Sequence, residues 1–264
     1  MLGMLTGKGI GFCIVHRLAK RAPENTYLLA ARSGKAGEEA IQQLRDLGVT
    51  ADLEALEMDV TRDDQIQSAA EAAKAQFGKI DAVVPDFACL SEVLVNNAAI
   101  AAAAAPDASL SDLRAAYSGV LDTNVTSVAA VTTAFLPLLR RSPDPRVVNV
   151  SSGRASMHAL TAGTMPATVS VPYSVSKLAV NVLTLEMAKQ EEGVKEGEGS
   201  RILYQAVNPG HCRTALNGFS GKRDPLEGAK VVEELVCAER GRWEGGFWAW
   251  EGDEENGEMK KMRW

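Results

Sequence analysis

Short apolar runs with polar residues at their carboxyl ends alternate with stretches of helical periodicity along almost the whole chain, and few folds accept that alternation. Met1 to Leu5 reads as a clipped first strand. A helix follows from Gly11 to about Arg21, with Ile14, Val15 and Leu18 on its buried side. Thr26 to Ala31 is the second strand, Gly34 to Leu47 a helix, and Ala51 to Met58 the third strand, ending at Asp59-Val60. Arg62 to Phe77 is helical, with Ile66, Ala69, Ala70 and Ala73 facing inward. Val93-Leu94-Val95 competes with Val83-Val84 for the fourth strand; Pro85 pushes the earlier run into a loop, leaving 82–92 as an insertion. Ser109 to about Arg140 is a long helical stretch, Arg146 to Val150 the fifth strand, and Tyr173 to about Lys189 a further helix. Arg201 to Val207 is the sixth strand, Pro225 to Arg240 looks helical, and Gly246 to Glu251 alternates as a last strand. The pattern predicts an α/β chain with one doubly wound parallel sheet in three layers, α/β/α. A chain of 264 residues, 46% hydrophobic and 23% charged, suffices for a single domain over 1–264.

Composition narrows the function classes. A formal net charge of −6 without a basic patch argues against nucleic acid or an anionic membrane as partner. The stretch Met1-Leu-Gly-Met-Leu-Thr-Gly is too short for a signal peptide, and no run approaches the ~18 apolar residues of a membrane span. A soluble, cytoplasmic protein is the expectation. Cys13, Cys89, Cys212 and Cys237 lack C-x-x-C spacing, and His16, His158 and His211 form no ligand cluster, so neither disulfide nor metal is expected.

The chemistry gathers at strand ends. In an open α/β sheet the ligand crevice lies outside the carboxyl ends of the strands, so Val93-Leu-Val-Asn-Asn-Ala-Ala99 and Val147-Val-Asn-Val-Ser-Ser152 bring Asn96, Asn97, Ser151 and Ser152 to one crevice. Tyr173 and Lys177 share a helix face at i,i+4. Most such pairs are an amphipathic ring beside a solvated charge. An ammonium about 4 Å from a phenol at an effective dielectric of ~20, however, favours the phenolate by ~4 kcal/mol, roughly 3 pK units below its usual ~10. Upstream, the glycines of Thr6-Gly7-Lys8-Gly9-Ile10-Gly11 let backbone N–H groups approach a pyrophosphate at the positive end of a helix. Arg32 lies at the end of the second strand, where this fold meets the adenosine ribose. Its charged fork suits a 2′-phosphate, Lys8 adds a second cation, and together they point to NADP(H).

Taken in order, these segments resemble the short-chain dehydrogenase/reductase family, marked by T-G-x-x-x-G-x-G, N-N-A-G, a strand-end Ser, Y-x-x-x-K and a later P-G. The resemblance covers nearly the whole chain and implies a Rossmann-type sheet. It implies that Tyr173 is the general acid, that Lys177 lowers its pKa and holds the nicotinamide ribose, and that Ser152 orients a carbonyl, Ser151 being satisfied locally. Asn124, in Leu-Asp-Thr-Asn-Val-Thr, matches the helix Asn that holds a water in the proton relay; a buried helix Asn bonded to backbone is its ordinary alternative. Gly7, Lys8, Gly9, Ile10 and Gly11 would cradle the pyrophosphate, Asp59 and Val60 the adenine, and Asn97 would lie along the cofactor. Thr214, in Pro209-Gly210-His-Cys-Arg-Thr214, would bond near the carboxamide.

Pro225-Leu-Glu-Gly-Ala-Lys, Gly246-Phe-Trp and Arg263-Trp264 look like the carbonyl reductase branch and its fungal relatives. That branch implies NADPH-dependent reduction of ketones and aldehydes to alcohols, with a small-molecule carbonyl or alcohol substrate. Gly153 to Pro172 is then an enlarged substrate-side loop, with Met157, Leu160, Met165 and Val171 as an apolar wall. The family also often pairs copies through the helices corresponding to Ser109–Arg140 and Tyr173–Lys189, which gives a homodimer or homotetramer. Three departures, the insertion at 82–92 among them, keep a second class open. The glycine run is two residues short between Gly7 and Gly9, and Ala99 replaces the last Gly of N-N-A-G. A non-catalytic nucleotide-binding or scaffold protein with a defective loop is the alternative.

Overall fold

In the computed structural model, which describes residues 2–4, 9–77, 93–105, 107–195, 199–253 and 256–264, eight strands form one sheet in the order β3-β2-β1-β4-β5-β6-β7-β8. The strands are β1 (Leu2–Met4), β2 (Thr26–Ala31), β3 (Asp52–Glu57), β4 (Val93–Asn96), β5 (Arg146–Val150), β6 (Leu203–Asn208), β7 (Gly246–Glu251) and β8 (Glu258–Lys261). All neighbours pair in parallel except β7 and β8, which are antiparallel. The strand order reverses at β1, between β2 and β4, the place where such sheets open a crevice. The glycine-rich run at residues 5–8 and the insertion at 82–92 lie outside the described residues.

Alternate strand residues face opposite sides, so each strand feeds two cores. Leu29, Val93, Val95, Val148, Val150 and Val207 face helices α1 (Ile10–Arg21), α2 (Gly34–Asp46) and α9 (Lys230–Val236), which contribute Ile14, Leu18, Leu44 and Leu235. Leu28, Leu94, Val147 and Tyr204 face α3 (Asp63–Phe77) and α5 (Ser127–Leu139), which contribute Ile66, Ala69, Ala73, Val131 and Phe135. Two helix layers around one sheet follow directly from β-branched strands buried on both faces.

The long stretch expected from Ser109 to Arg140 is interrupted. α4 (Leu110–Leu121) and α5 are joined by a π-helical turn at Asp122–Thr126, a local widening that is frequent at functional sites. The whole of Leu110–Leu139 is long and apolar enough to cross a membrane by length and composition, although its C-terminal half packs Val131, Phe135, Leu138 and Leu139 into the core. α4 leaves Leu110 and Leu113 exposed, and α7 (Val171–Gln190) leaves Val175, Val182 and Leu185 exposed. The stretch from Pro225 to Arg240 also divides, into α8 (Pro225–Gly228) and α9, because Gly228 lies against Cys212 and Pro209, where a Cβ would meet Sγ at 2.3 Å. β7 is followed by β8, an exposed edge strand of sequence Glu-Met-Lys-Lys with no apolar alternation to announce it.

Candidate active site

The site is assembled at the carboxyl ends of β4, β5 and β6, with the first turn of α7 laid across them. α7 starts at Val171 and carries Pro172 in its first turn, where a fixed φ and a missing N–H are suited. Its orientation brings Tyr173 and Lys177 to the end of β5. Lys177 is buried, and its Nζ donates to Val150 O at 2.7 Å. Ser151, one residue on, donates from Oγ to Lys177 O at 3.2 Å, so the strand end and the helix are tied by two bonds and Ser151 faces away from the crevice. Ser152 is partly exposed, accepts from Arg154 N at 3.3 Å and hydrogen-bonds the Tyr173 hydroxyl.

Asn124 occupies the π turn and is completely buried. Its Oδ1 accepts from Ile100 N at 2.8 Å, and its Nδ2 donates to Ile100 O at 2.9 Å and to Ser176 Oγ at 2.9 Å. Ser176 in turn donates to Tyr173 O at 2.7 Å. Asn124 thereby links the chain after β4 to the turn of α7 that carries Tyr173 and Lys177. Ser176 had no signal of its own in the sequence beyond its place inside Tyr-Ser-Val-Ser-Lys.

Two expectations change. Asn96 does not line the crevice: it is buried, and Nδ2 donates to Thr132 Oγ1 at 3.0 Å and to Asn149 Oδ1 at 2.9 Å. Asn149 continues the ladder to Thr184 Oγ1 at 2.9 Å. The cross-strand register, which sets Asn96 opposite Asn149, turns the last residue of β4 inward. Asn97, the next residue, is partly exposed at the crevice. The second change concerns acidity. Lys177 Nζ lies 5.8 Å from the centre of the Tyr173 ring. Burial holds the Tyr173 phenol above its ordinary value, while the hydrogen bond to Ser152 and the charge of Arg154 pull it down and Cys212 adds to the rise. Burial likewise brings Lys177 down to about 8.

The lowered Lys177 gives a stability prediction. Its folded pKa lies below the unfolded value of ~10.4, so the penalty for burying its charge is fully present below pH 8 and is relieved as pH rises toward 10.4. Relative to a Lys177→Met variant, the wild-type chain should gain about 3 kcal/mol of unfolding free energy across that window, measured by urea titration at stepped pH. A difference that stays flat with pH would place Nζ in solvent.

On the cofactor side, Gly9 is the N-cap of α1, with no side-chain cap and no acidic residue in the first turn, so the N–H groups beginning at Ile10 and Gly11 are left for a ligand. Gly7 and Lys8 lie outside the described residues. Arg32 is exposed just past β2 and electrostatically favours the Asp59 carboxylate. Beside it, Glu57 Oε2 accepts from Gly34 N at 2.8 Å, at the start of α2. Asp59 accepts from Thr61 N and Oγ1 at 3.0 and 2.7 Å, and these bonds hold its carboxyl below the usual range. Val60 is buried in the core beneath. Thr214 is buried past β6 and forms a capping box with Asn217. These groups fit a dinucleotide running from the α2 end, past α1, to Tyr173.

The outer wall is the segment 153–172, which folds into the short helix α6 (Met157–Thr161) and a turn. Arg154, which the motifs left unremarked, donates from Nη1 to Pro166 O at 2.6 Å. Residues from beyond β8 fasten the wall's first half: Ser156 Oγ donates to Arg263 O at 2.7 Å, His158 N donates to Trp264 O at 3.1 Å, and Trp264 stacks on Phe247 at 5.5 Å.

A parallel sheet with a crevice where the strand order reverses and a Tyr/Lys helix across the end of β5 is the framework of an α/β oxidoreductase. The chain belongs to the short-chain dehydrogenase family, whose sequence model matches residues 4–224, and which uses NAD(P) on small-molecule substrates. It is 38% identical to a short-chain dehydrogenase/reductase of Aspergillus fumigatus, over 99% of this chain and 96% of that protein. It is 29% identical to the bovine carbonyl reductase [NADPH] 1, over 89% of this chain and 90% of that protein. An NADPH-bound carbonyl reductase from chicken fatty liver superimposes with a TM-score of 0.73 at 25% identity, over 100% of this chain and 98% of that one.

Proposed function

We propose that this oxidoreductase reduces a ketone or aldehyde to an alcohol with NADPH. The observation that carries the reading is the junction of Ser152, Tyr173, Lys177 and Asn124 at one crevice wall, with Tyr173 hydrogen-bonded to Ser152. A nicotinamide cofactor held by these residues would supply the hydride for the carbonyl carbon. Ser152 donates a hydrogen bond that orients the carbonyl oxygen, and Tyr173 gives that oxygen its phenolic proton, so carbonyl plus hydride plus proton becomes alcohol. The ammonium of Lys177 stabilises the phenolate left on Tyr173, and Asn124 holds the α7 turn at the distance this requires. Gly9, Ile10 and Gly11 would bind pyrophosphate, Asn97 and Thr214 would flank the nicotinamide half, and Asp59 and Val60 the adenine.

Arg32 supports NADPH over NADH because it has no acid within ion-pair distance among the described residues, whereas Glu57 is engaged by Gly34. The test measures consumption of NADPH and NADH with simple aldehydes and ketones by wild type and Arg32→Asp. A charge-assisted bond is worth about 1.5–3 kcal/mol, so the NADPH preference should fall about tenfold to a hundredfold. Equal losses with both cofactors would remove the 2′-phosphate argument, and no turnover with either would remove the reductase reading.

A further inference from the structure

The crevice gathers positive charge in a chain of net charge −6. Lys177 and Arg154 both lie beside Tyr173, and among the described residues neither has a carboxylate within ion-pair distance; each donates only to a neutral carbonyl. Lys177 belongs to the machinery already described. Arg154 does not. Its backbone N–H is bonded to the Ser152 hydroxyl at 3.3 Å, and its Nη1 reaches Pro166 O at 2.6 Å, so the residue links the strand end bearing Ser152, through its backbone, to the far side of the 153–172 wall, through its guanidinium. The charge acts on Tyr173 directly, favouring its ionised form.

A guanidinium carries five N–H donors in a planar fork, and the bond to Pro166 occupies one. Pinning the wall needs only a neutral donor; a permanent charge with no carboxylate within ion-pair distance among the described residues calls for another explanation. The surroundings supply the rest of the shape. Met157, Leu160 and Val171 expose 47%, 39% and 47% of their surface on the same wall, and Met165 reaches back over Gly153. Those side chains suit an apolar body, whereas the fork suits a carboxylate, with which arginine forms paired, charge-assisted bonds.

Resting on the reductase reading, we infer that Arg154 is a substrate-recognition residue and that the substrate is an apolar oxo-carboxylate, whose carboxylate pairs with Arg154 while its carbonyl oxygen lies between Ser152 and Tyr173. Only Gly153 separates Ser152 from Arg154 in sequence, which keeps the acid close to the reacting carbonyl and favours 2-, 3- or 4-oxo acids.

The probes are benzoylformate, benzoylacetate and 3-benzoylpropionate, each beside its methyl ester, with NADPH consumption followed for wild type, Arg154→Gln and Arg154→Lys. Glutamine keeps a donor for Pro166 O, so the wall can stay pinned. In at least one pair the wild type should prefer the acid, and Arg154→Gln should lower the acid-to-ester ratio of kcat/KM at least tenfold, with Arg154→Lys between. Acid and ester falling together, or esters preferred by wild type in every pair, would overturn the inference while ester turnover leaves the reductase standing. Absence of turnover with all six compounds would overturn both.

Discussion

Tyr173→Phe is expected to lower carbonyl reduction at least ~100-fold while NADPH binds nearly as before, since general acid catalysis contributes on that scale. The substitution removes one oxygen and keeps the ring. α7 has its own support in the bonds from Ser151 to Lys177 O, from Lys177 to Val150 O and from Asn124 to Ser176, so the helix should hold its place. Ser152 loses a partner but is partly exposed, and water can replace the phenol. Steady-state rates read the first effect and quenching of protein fluorescence by NADPH the second. More than about a tenth of the activity surviving would transfer the proton to another donor.

Glu233→Ala is expected to destabilise the fold by about 3–5 kcal/mol, the range for breaking one side of a buried ion pair. Glu233 on α9 receives Arg17 Nε at 2.5 Å and Arg21 Nη1 at 3.4 Å, both from α1, with Lys230 Nζ at 3.6 Å. Its side chain is 8% exposed and that of Arg17 9%, so the alanine takes a carboxylate from a buried guanidinium, whereas Arg21, 46% exposed, and Lys230 keep Glu234 at 3.6 and 3.2 Å. Because α1 begins at Gly9, the same loss should loosen the pyrophosphate end, and NADPH affinity should drop along with the thermal midpoint. Chemical denaturation measures it; a change under 1 kcal/mol would mean that water already reaches the junction.

Where apolar pattern and turn chemistry agree, the sequence was enough. β2, β5 and β7 begin and end where Thr26, Ala31, Arg146, Val150, Gly246 and Glu251 predict, because each is a mainly apolar run buried on both faces over most of its length. β4 follows from the need for Asn97 to stand at a strand end. β8 was illegible: Glu-Met-Lys-Lys acquires strand structure only by pairing with β7. The π turn at Asp122–Thr126 was equally hidden, since one extra residue per turn leaves the apolar spacing nearly unchanged, yet it is what lets Asn124 reach Ile100 and Ser176. At the site, Ser152, Tyr173 and Lys177 converge as their spacing implies, whereas Asn96 was misplaced because a strand-end carboxamide can turn either way and cross-strand register decides. Arg154 had no periodicity or motif to mark it; its partner, Pro166, is contiguous with it only after the wall has folded.

The anchoring of Ser156 and His158 by the carbonyls of Arg263 and Trp264 sets an order of events during synthesis. The strands that hold Ser152 and the helix that holds Tyr173 are complete once the ribosome has passed β6, so the reacting groups can meet early. The wall over them is not fastened until Arg263 and Trp264 have been added and β8 has folded back on β7. A nascent chain stalled before residue 260 would therefore carry Ser152 and Tyr173 in place beside a wall not yet fastened at Ser156 and His158.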